Sequence, residues 1–224
     1  MERGPRIGLI HATRLAVEPA LAAFRELWPE ARPVNLVEES LQLDAANSDY
    51  DGPSFTLRIL ALAEYQVANG AEGLLFTCSA FSDAIRAAGR ALEVPVQRPD
   101  EAAIEQALSL GLPVRVLCSF GPTLRVVQRL VAEFRDDPDL PVAVELVEGA
   151  LEALHAGDTA RHDALIAEAA ARAGEPVLVL GQYSMARAAA LVEKQAGRPA
   201  ITGPALAVRM LRTLVEARAL GVDA

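Results

Sequence analysis

Two spacings of apolar residues alternate along the chain. Short apolar runs of strand length occur at Arg6-Ile7-Gly8-Leu9-Ile10, Val34 to Val37, Gly73-Leu74-Leu75-Phe76, Val94 to Val96, Val114 to Leu117, Val142 to Val147 and Val177 to Leu180, with a last short piece around Ile201. Each is bounded by turn residues and predicts a buried strand. Between them, apolar residues recur at helical spacing. A helix is expected from about Glu18, with Pro19 in its first turn and Leu21, Phe24 and Trp28 on one face. Others are expected over Phe55 to Ala68, over Ser82 to Leu92, after Pro99-Asp100-Glu101 with Asp100 as cap, and up to about Arg135. A helical stretch broken at Gly157-Asp158 runs to Ala173, another follows Ser184, and Pro204 to Leu220 forms a final amphipathic helix. Glu38 to Pro53 is polar and turn-rich, with Asn47, Asp49, Asp51 and Gly52. A connection that long after a strand is either an active-site lid or a surface excursion.

Strand and helix alternate in the order that builds parallel sheets. The pattern runs twice, and Pro99-Asp100-Glu101 is the expected crossing between halves. Ile7 to Thr13 sits in the first half as Val114 to Ser119 sits in the second, and Leu74 to Ser79 corresponds to Leu178 to Tyr183. A first α/β domain of residues 1–98 plus 200–224, and a second of residues 99–199, follow from that repeat if the last helix returns to the first half.

Composition narrows the function. The 224 residues carry a net charge of −9 with no block of Lys or Arg, which argues against nucleic acid and anionic membrane surfaces as partners. No apolar run is long enough to span a bilayer, and polar Met1 to Arg6 leads straight into a strand, so no signal peptide is expected. Two cysteines, Cys78 and Cys118, make no disulfide framework. CxxC, HExxH, GxGxxG and Walker A sequences are all missing, so no metal or nucleotide cofactor is expected. A reducing cytoplasm is the expected setting.

The candidate chemistry centres on Gly73-Leu74-Leu75-Phe76-Thr77-Cys78-Ser79-Ala80-Phe81-Ser82, a strand that ends abruptly before a helix. In open α/β sheets, ligands bind beyond the carboxyl ends of strands, near outward-pointing N–H groups. A cysteine there is expected to have an enlarged thiolate fraction. The residues alone also allow a small buried cysteine filling space. Thr77 and Ser79 are either carboxylate-binding hydroxyls or ordinary caps. His11, at the end of the first strand, is either a base tuning Cys78 or a hydrogen-bonded strand-end histidine. Thr13 is a further hydroxyl at that end. Tyr50, in the long connection, either closes over a substrate or lies on the surface. Ser119 and Thr123 flank the corresponding turn of the second half, and Gln182, Tyr183 and Ser184 its other strand end. Cys118 is read as core, and His155 and His162 as surface residues.

These elements resemble a known group. Ile7-Gly8-Leu9-Ile10-His11-Ala12-Thr13, Phe76-Thr77-Cys78-Ser79-Ala80-Phe81, Ser119-Phe120-Gly121-Pro122-Thr123 and Leu180-Gly181-Gln182-Tyr183-Ser184-Met185-Ala186 are similar, in order and spacing, to the aspartate/glutamate racemase superfamily, which includes hydantoin racemases, maleate isomerases and arylmalonate decarboxylases. The resemblance implies two flavodoxin-like parallel-sheet domains related by a pseudo-twofold, an active site in the cleft between them, no cofactor, and a homodimer. It also implies a small carboxylate or amino-acid-like substrate, with a cysteine on each half transferring a proton at the α-carbon. Cys78 matches the first cysteine. Gln182 stands where the second belongs and cannot transfer protons at neutral pH. The resemblance therefore implies a racemase-type isomerase working through Cys78, with His11 beside it, without the two-cysteine mechanism. Thr13, Tyr50, Thr77, Ser79, Ser119, Thr123, Gln182, Tyr183 and Ser184 are the expected binding groups. The alternatives are a decarboxylase of a malonate-type acid, which needs one proton donor, and a small-carboxylate binding protein without turnover.

Overall fold

The computed structural model of the chain describes residues 4–47 and 49–222. Strand β1 (Arg6–His11) leads through a 3-10 turn (Arg14–Ala16) into α1 (Val17–Leu27). Strand β2 (Arg32–Val37) precedes α2 (Ser40–Ala46) and α3 (Phe55–Ala68). Strand β3 (Gly73–Phe76) precedes a 3-10 turn (Ser79–Phe81) and α4 (Ser82–Ala91), and β4 (Val96–Gln97) precedes α5 (Glu101–Ser109). The order then repeats with β5 (Val114–Cys118), α6 (Gly121–Phe134), β6 (Val142–Leu146), α7 (Ala150–His155) and α8 (Thr159–Arg172). Strand β7 (Val177–Leu180), a 3-10 stretch (Tyr183–Ala188), α9 (Ala189–Ala196), β8 (Ala200–Thr202) and α10 (Gly203–Ala219) complete it.

The chain divides into two units, one running to Pro99 and resuming at Pro204, the other spanning Asp100 to Gly203. The first holds a parallel sheet in the order β2-β1-β3-β4, the second a parallel sheet in the order β6-β5-β7-β8. This shared order is the start of the flavodoxin-like winding. Parallel neighbours need crossover helices, which cover both faces and leave the central strands dry. Accordingly β3 and β7 are buried along their whole length, and β1 from Ile7 onward. In the first unit, Ile10, Leu74 and Phe76 pack with Leu41 of α2, Ile59 of α3 and Ile85 of α4. In the second, Leu117, Leu178 and Leu180 pack with Ile166 and Ala170 of α8, Met185 and Val192.

Several local expectations need revision. The polar connection after β2 carries a helix that its sequence does not signal, α2, whose Leu41 is buried in the first core. Burying one such side chain stabilises by about 2 kcal/mol, enough to hold a short helix that its own propensity would not. Strand β2 begins two residues earlier than its apolar run, and β4 is reduced to Val96–Gln97. Asp100 stands at the N-cap of α5 but makes no side-chain capping bond there. His155 is exposed, but His162 is wholly buried. Its Nδ1 lies 2.7 Å from Asp163 Oδ1, a carboxylate also held by Arg187 Nε at 3.0 Å. Those polar partners let a polar-looking helix turn a histidine inward. Among the described residues no helix is long and apolar enough to cross a membrane.

Helix α10 packs on the first unit through Gly73 at the start of β3. A Cβ at Gly73 would lie 2.7 Å from Val215 Cγ2 and 3.3 Å from Leu211 Cδ1. Arg212 Nη1 also donates to the Leu27 carbonyl at 2.8 Å, tying α10 to the end of α1. Gly73→Ala should therefore lower stability by about 1–3 kcal/mol through overpacking. In a strand free of that helix, the same change would instead stabilise, by roughly 0.5–1 kcal/mol. The shift in urea midpoint reads the sign directly, and a raised midpoint would refute the docking.

Candidate active site

The site begins with strand register. β1 and β3 pair as far as Ile10–Phe76, and the Thr77 N–H continues the ladder to the Ile10 carbonyl at 3.1 Å. His11 and Thr77 thus leave the sheet side by side on one face. On the other flank Leu9 pairs with Asn35 of β2, which puts Asn35 diagonal to His11 on that same face. His11 Nδ1 lies 2.8 Å from Thr77 Oγ1, and His11 Nε2 lies 3.0 Å from Asn35 Oδ1. His11 is fully buried and Thr77 nearly so. Burial lowers the His11 pKa below its usual value of 6.5, while the bond to Asn35 works in the opposite direction. The imidazole is neutral at pH 7 and both nitrogens are engaged within the unit. That arrangement suits positioning of Thr77 rather than proton exchange with a ligand.

Cys78 follows in extended conformation, with φ −115° and ψ 110°, and is half-buried. Its carbonyl accepts from the Phe81 N–H at 3.4 Å, closing the turn that leads into α4. Ser79 within that turn is buried. Thr13 caps the turn after β1: its Oγ1 accepts from the Leu15 N–H at 3.4 Å, leaving the hydroxyl hydrogen to donate elsewhere. Tyr50 uses its hydroxyl within the protein, donating to the Pro53 carbonyl at 2.8 Å and accepting from Arg58 Nη1 at 3.1 Å. Its ring stacks on Phe55 with centroids 5.3 Å apart, and Phe55 meets Phe81 at 5.0 Å. Arg58 also binds Asp44 Oδ2 at 2.6 Å and Ser40 Oγ at 2.5 Å. The segment after β2 is therefore tied back by one guanidinium, and it reaches the Cys78 turn through aromatic rings.

The second unit repeats the register with different chemistry. β5 and β7 pair as far as Leu117–Leu180, and the Gly181 N–H donates to the Leu117 carbonyl at 2.8 Å. Cys118 and Gly181 therefore stand where His11 and Thr77 stand, and Gln182 where Cys78 stands. Val144, paired with Val116, takes the place of Asn35. Gly181 is small for a reason: a Cβ there would lie 3.0 Å from Cys118 Sγ and 3.1 Å from the Leu117 carbonyl oxygen. Cys118 is wholly buried, and burial, with the Asp100 charge adding, pushes its thiol far above the usual range. Gln182 is held at three points. Its Oε1 accepts from the Ser119 N–H at 2.7 Å and from Ser119 Oγ at 3.2 Å, and its Nε2 donates to Thr123 Oγ1 at 3.2 Å. The amide oxygen occupies the place where an anion would take the Ser119 N–H. Tyr183 is buried with its hydroxyl in the interior, and burial, with Asp100 adding, holds that hydroxyl neutral well beyond its ordinary range. Ser184 is half-buried. Among the described residues no group of three His, Cys, Asp or Glu side chains is placed to hold a metal ion.

Asn35, which bonds His11, and Arg58, which bonds Tyr50, are residues that sequence reading passes over. A polar residue inside the run Val34-Asn35-Leu36 is the one signal for the first.

The model for Asp/Glu/hydantoin racemases matches residues 7–211. The chain belongs to that family. A glutamate racemase from Bacillus anthracis is 15% identical with a TM-score of 0.73, covering 99% of this chain and 85% of its own. An allantoin racemase from Klebsiella pneumoniae is 19% identical with a TM-score of 0.71, covering 98% of this chain and 90% of its own. A glycine-to-cysteine variant of arylmalonate decarboxylase, in a sulfate-associated form, is 20% identical with a TM-score of 0.63, covering 95% of this chain and 94% of its own. At these identities the likeness is one of fold. Comparison with curated proteins finds no match. Within the family frame, the two cysteines of this chain differ sharply in environment. A disulfide-exchange reagent should modify Cys78 in the native protein and reach Cys118 only after unfolding. Native labelling of a Cys78→Ser variant at the wild-type rate would refute that assignment.

Proposed function

We propose that this family member is a cofactor-independent, racemase-type isomerase that moves a proton at the α-carbon of a small carboxylate or amino-acid-like substrate through Cys78. The observation that carries the reading is the contrast between its two thiols, one half-buried at a strand end and one sealed in the core. When the α C–H bond breaks, its electron pair moves into the adjacent carboxyl or carbonyl group, and the enediolate-like charge needs fixed donors. Thr13, Ser79 and the N–H groups of the Cys78 turn supply them in this reading. Gln182, with Ser119 and Thr123, binds substrate by hydrogen bonds; Ser184 adds a hydroxyl, and Tyr183 shapes the turn from beneath. An amide has no usable proton-transfer pKa near neutrality, so the proton for the opposite face of the α-carbon comes from solvent.

Decarboxylation of a malonate-type acid is the second reading, favoured by the locked Gln182. There the C–CO2 bond breaks, carbon dioxide leaves, and the thiol of Cys78 gives its proton to the carbanion and recovers one from water. One donor suffices for that chemistry.

Incubation in deuterium oxide with glutamate, aspartate, allantoin and an arylmalonate separates these outcomes. α-Deuteration with loss of optical activity supports isomerisation, and carbon dioxide release supports decarboxylation. Either activity should fall by roughly 10²–10⁴-fold in Cys78→Ala. A ligand that raises Tm with neither exchange nor gas release would leave a binding protein and sink the proton-transfer reading. Gln182→Cys should increase the rate of racemisation relative to same-face exchange, and an unchanged ratio would show that position 182 does not face the reacting carbon.

A further inference from the structure

We propose that Asn35 is a positioning residue of the Cys78 site: its side-chain oxygen keeps the His11 proton on Nε2, leaves Nδ1 bare, and so turns the Thr77 hydroxyl into an acceptor toward the ligand. The chain of reasoning is one of hydrogen counting. Asn35 Oδ1, 3.0 Å from His11 Nε2, accepts only, so Nε2 must carry the hydrogen. A neutral imidazole has a single N–H. His11 Nδ1 is therefore an acceptor, and the partner at 2.8 Å that must donate to it is the Thr77 hydroxyl. Thr77 has one hydroxyl hydrogen, and His11 takes it. Beyond that bond, Thr77 Oγ1 offers lone pairs alone.

The substrate group that meets Thr77 is accordingly an N–H or O–H donor, such as an amino, amide or imide nitrogen, and the carboxylate is held elsewhere. This consequence rests on the function proposed above; the tautomer itself does not. The second unit supplies the control that sets this apart from a packing requirement. At the three equivalent positions it carries Val144, Cys118 and Gly181, residues that cannot build the same hydrogen-bonded chain, with Gly181 in close approach to Cys118. The fold is thus built once with the polar chain and once without it. Burying an imidazole that has lost a partner costs free energy, so a fully bonded polar chain in one unit alone points to use at the Cys78 end of the strand.

The experiment uses the full chain labelled with nitrogen-15 histidine, with the His11 ring signals among the three histidines assigned by a His11→Gln variant. Long-range proton–nitrogen correlation should show His11 protonated on Nε2 and bare on Nδ1. Asn35→Val, which copies Val144, should erase that preference, whereas Asn35→Asp, read at pH 9 where the imidazole is neutral, should restore it. With a substrate identified by deuterium exchange, Asn35→Val should lower kcat/KM about tenfold, the effect expected for loss of one part-buried hydrogen bond to a buried ring, and Asn35→Asp should recover most of it. A wild-type His11 protonated on Nδ1, or Asn35→Val leaving both the ring signals and kcat/KM unchanged, overturns the proposal. If no substrate turns over, the ring signals still decide the Asn35 assignment while the proton-transfer function fails on its own.

Discussion

The parallel pairing of the first and third strands in each sheet is the constraint from which the rest follows. Both ladders end one residue short of a buried pair, at Ile10–Phe76 and at Leu117–Leu180. Side chains alternate faces along a strand, so slipping either ladder by one residue would swing Cys78 or Gln182 to the other side of its sheet. Register is held because these strands are apolar on both faces and have no tolerable alternative alignment in a dry interior. In the proposed function, what the chain offers a ligand is decided by the two or three residues that run past each ladder's end.

That division of labour explains what the sequence discloses. Strand-length apolar runs, their alternation with helical spacing, and the hydroxyl-rich ends at Thr77-Cys78-Ser79 and Ser119 are visible without coordinates, because patterning and topology alone put chemistry at the carboxyl ends of strands. The correspondence of Cys78 with Gln182 is also legible from order and spacing. What escapes is everything that depends on a partner distant in the chain. Asn35 matters only through the register of β2 on β1, a relation that a polar residue in an edge strand does not announce. Leu41 converts a polar segment into a helix by a single buried contact. His162 and Tyr183 are polar by type but sit in the interior, His162 beside Asp163 and Tyr183 within electrostatic reach of Asp100. Gln182 reads as a free amide until Ser119 and Thr123 are found at its two ends.

The two units also show how one scaffold is specialised by small substitutions at equivalent points. A thiol opposite a glycine, Cys118 with Gly181, fills its space with little polarity to satisfy. An imidazole opposite a threonine, His11 with Thr77, requires a third group to complete its hydrogen bonding, and Asn35 completes it. The first arrangement asks nothing of its neighbours beyond fit. The second constrains a hydrogen's position, and a constrained hydrogen is what a site needs when it must tell a donor from an acceptor.

The amide at position 182 sets the stereochemical question. A single thiol that removes and returns a proton does so from one side of the reacting carbon, so under the proposed function exchange by Cys78 alone would preserve configuration. Inversion needs a second proton donor, and the amide of Gln182 has no proton-transfer pKa near neutrality that would let it serve as one. Under the proposed function, racemisation requires a proton from water to compete with return from sulfur. Decarboxylation has no such requirement, because the departing carbon dioxide leaves a carbanion that one proton quenches. In that same proposed function, the balance between the two chemistries turns on solvent access to one face of the α-carbon rather than on the reactivity of the thiol.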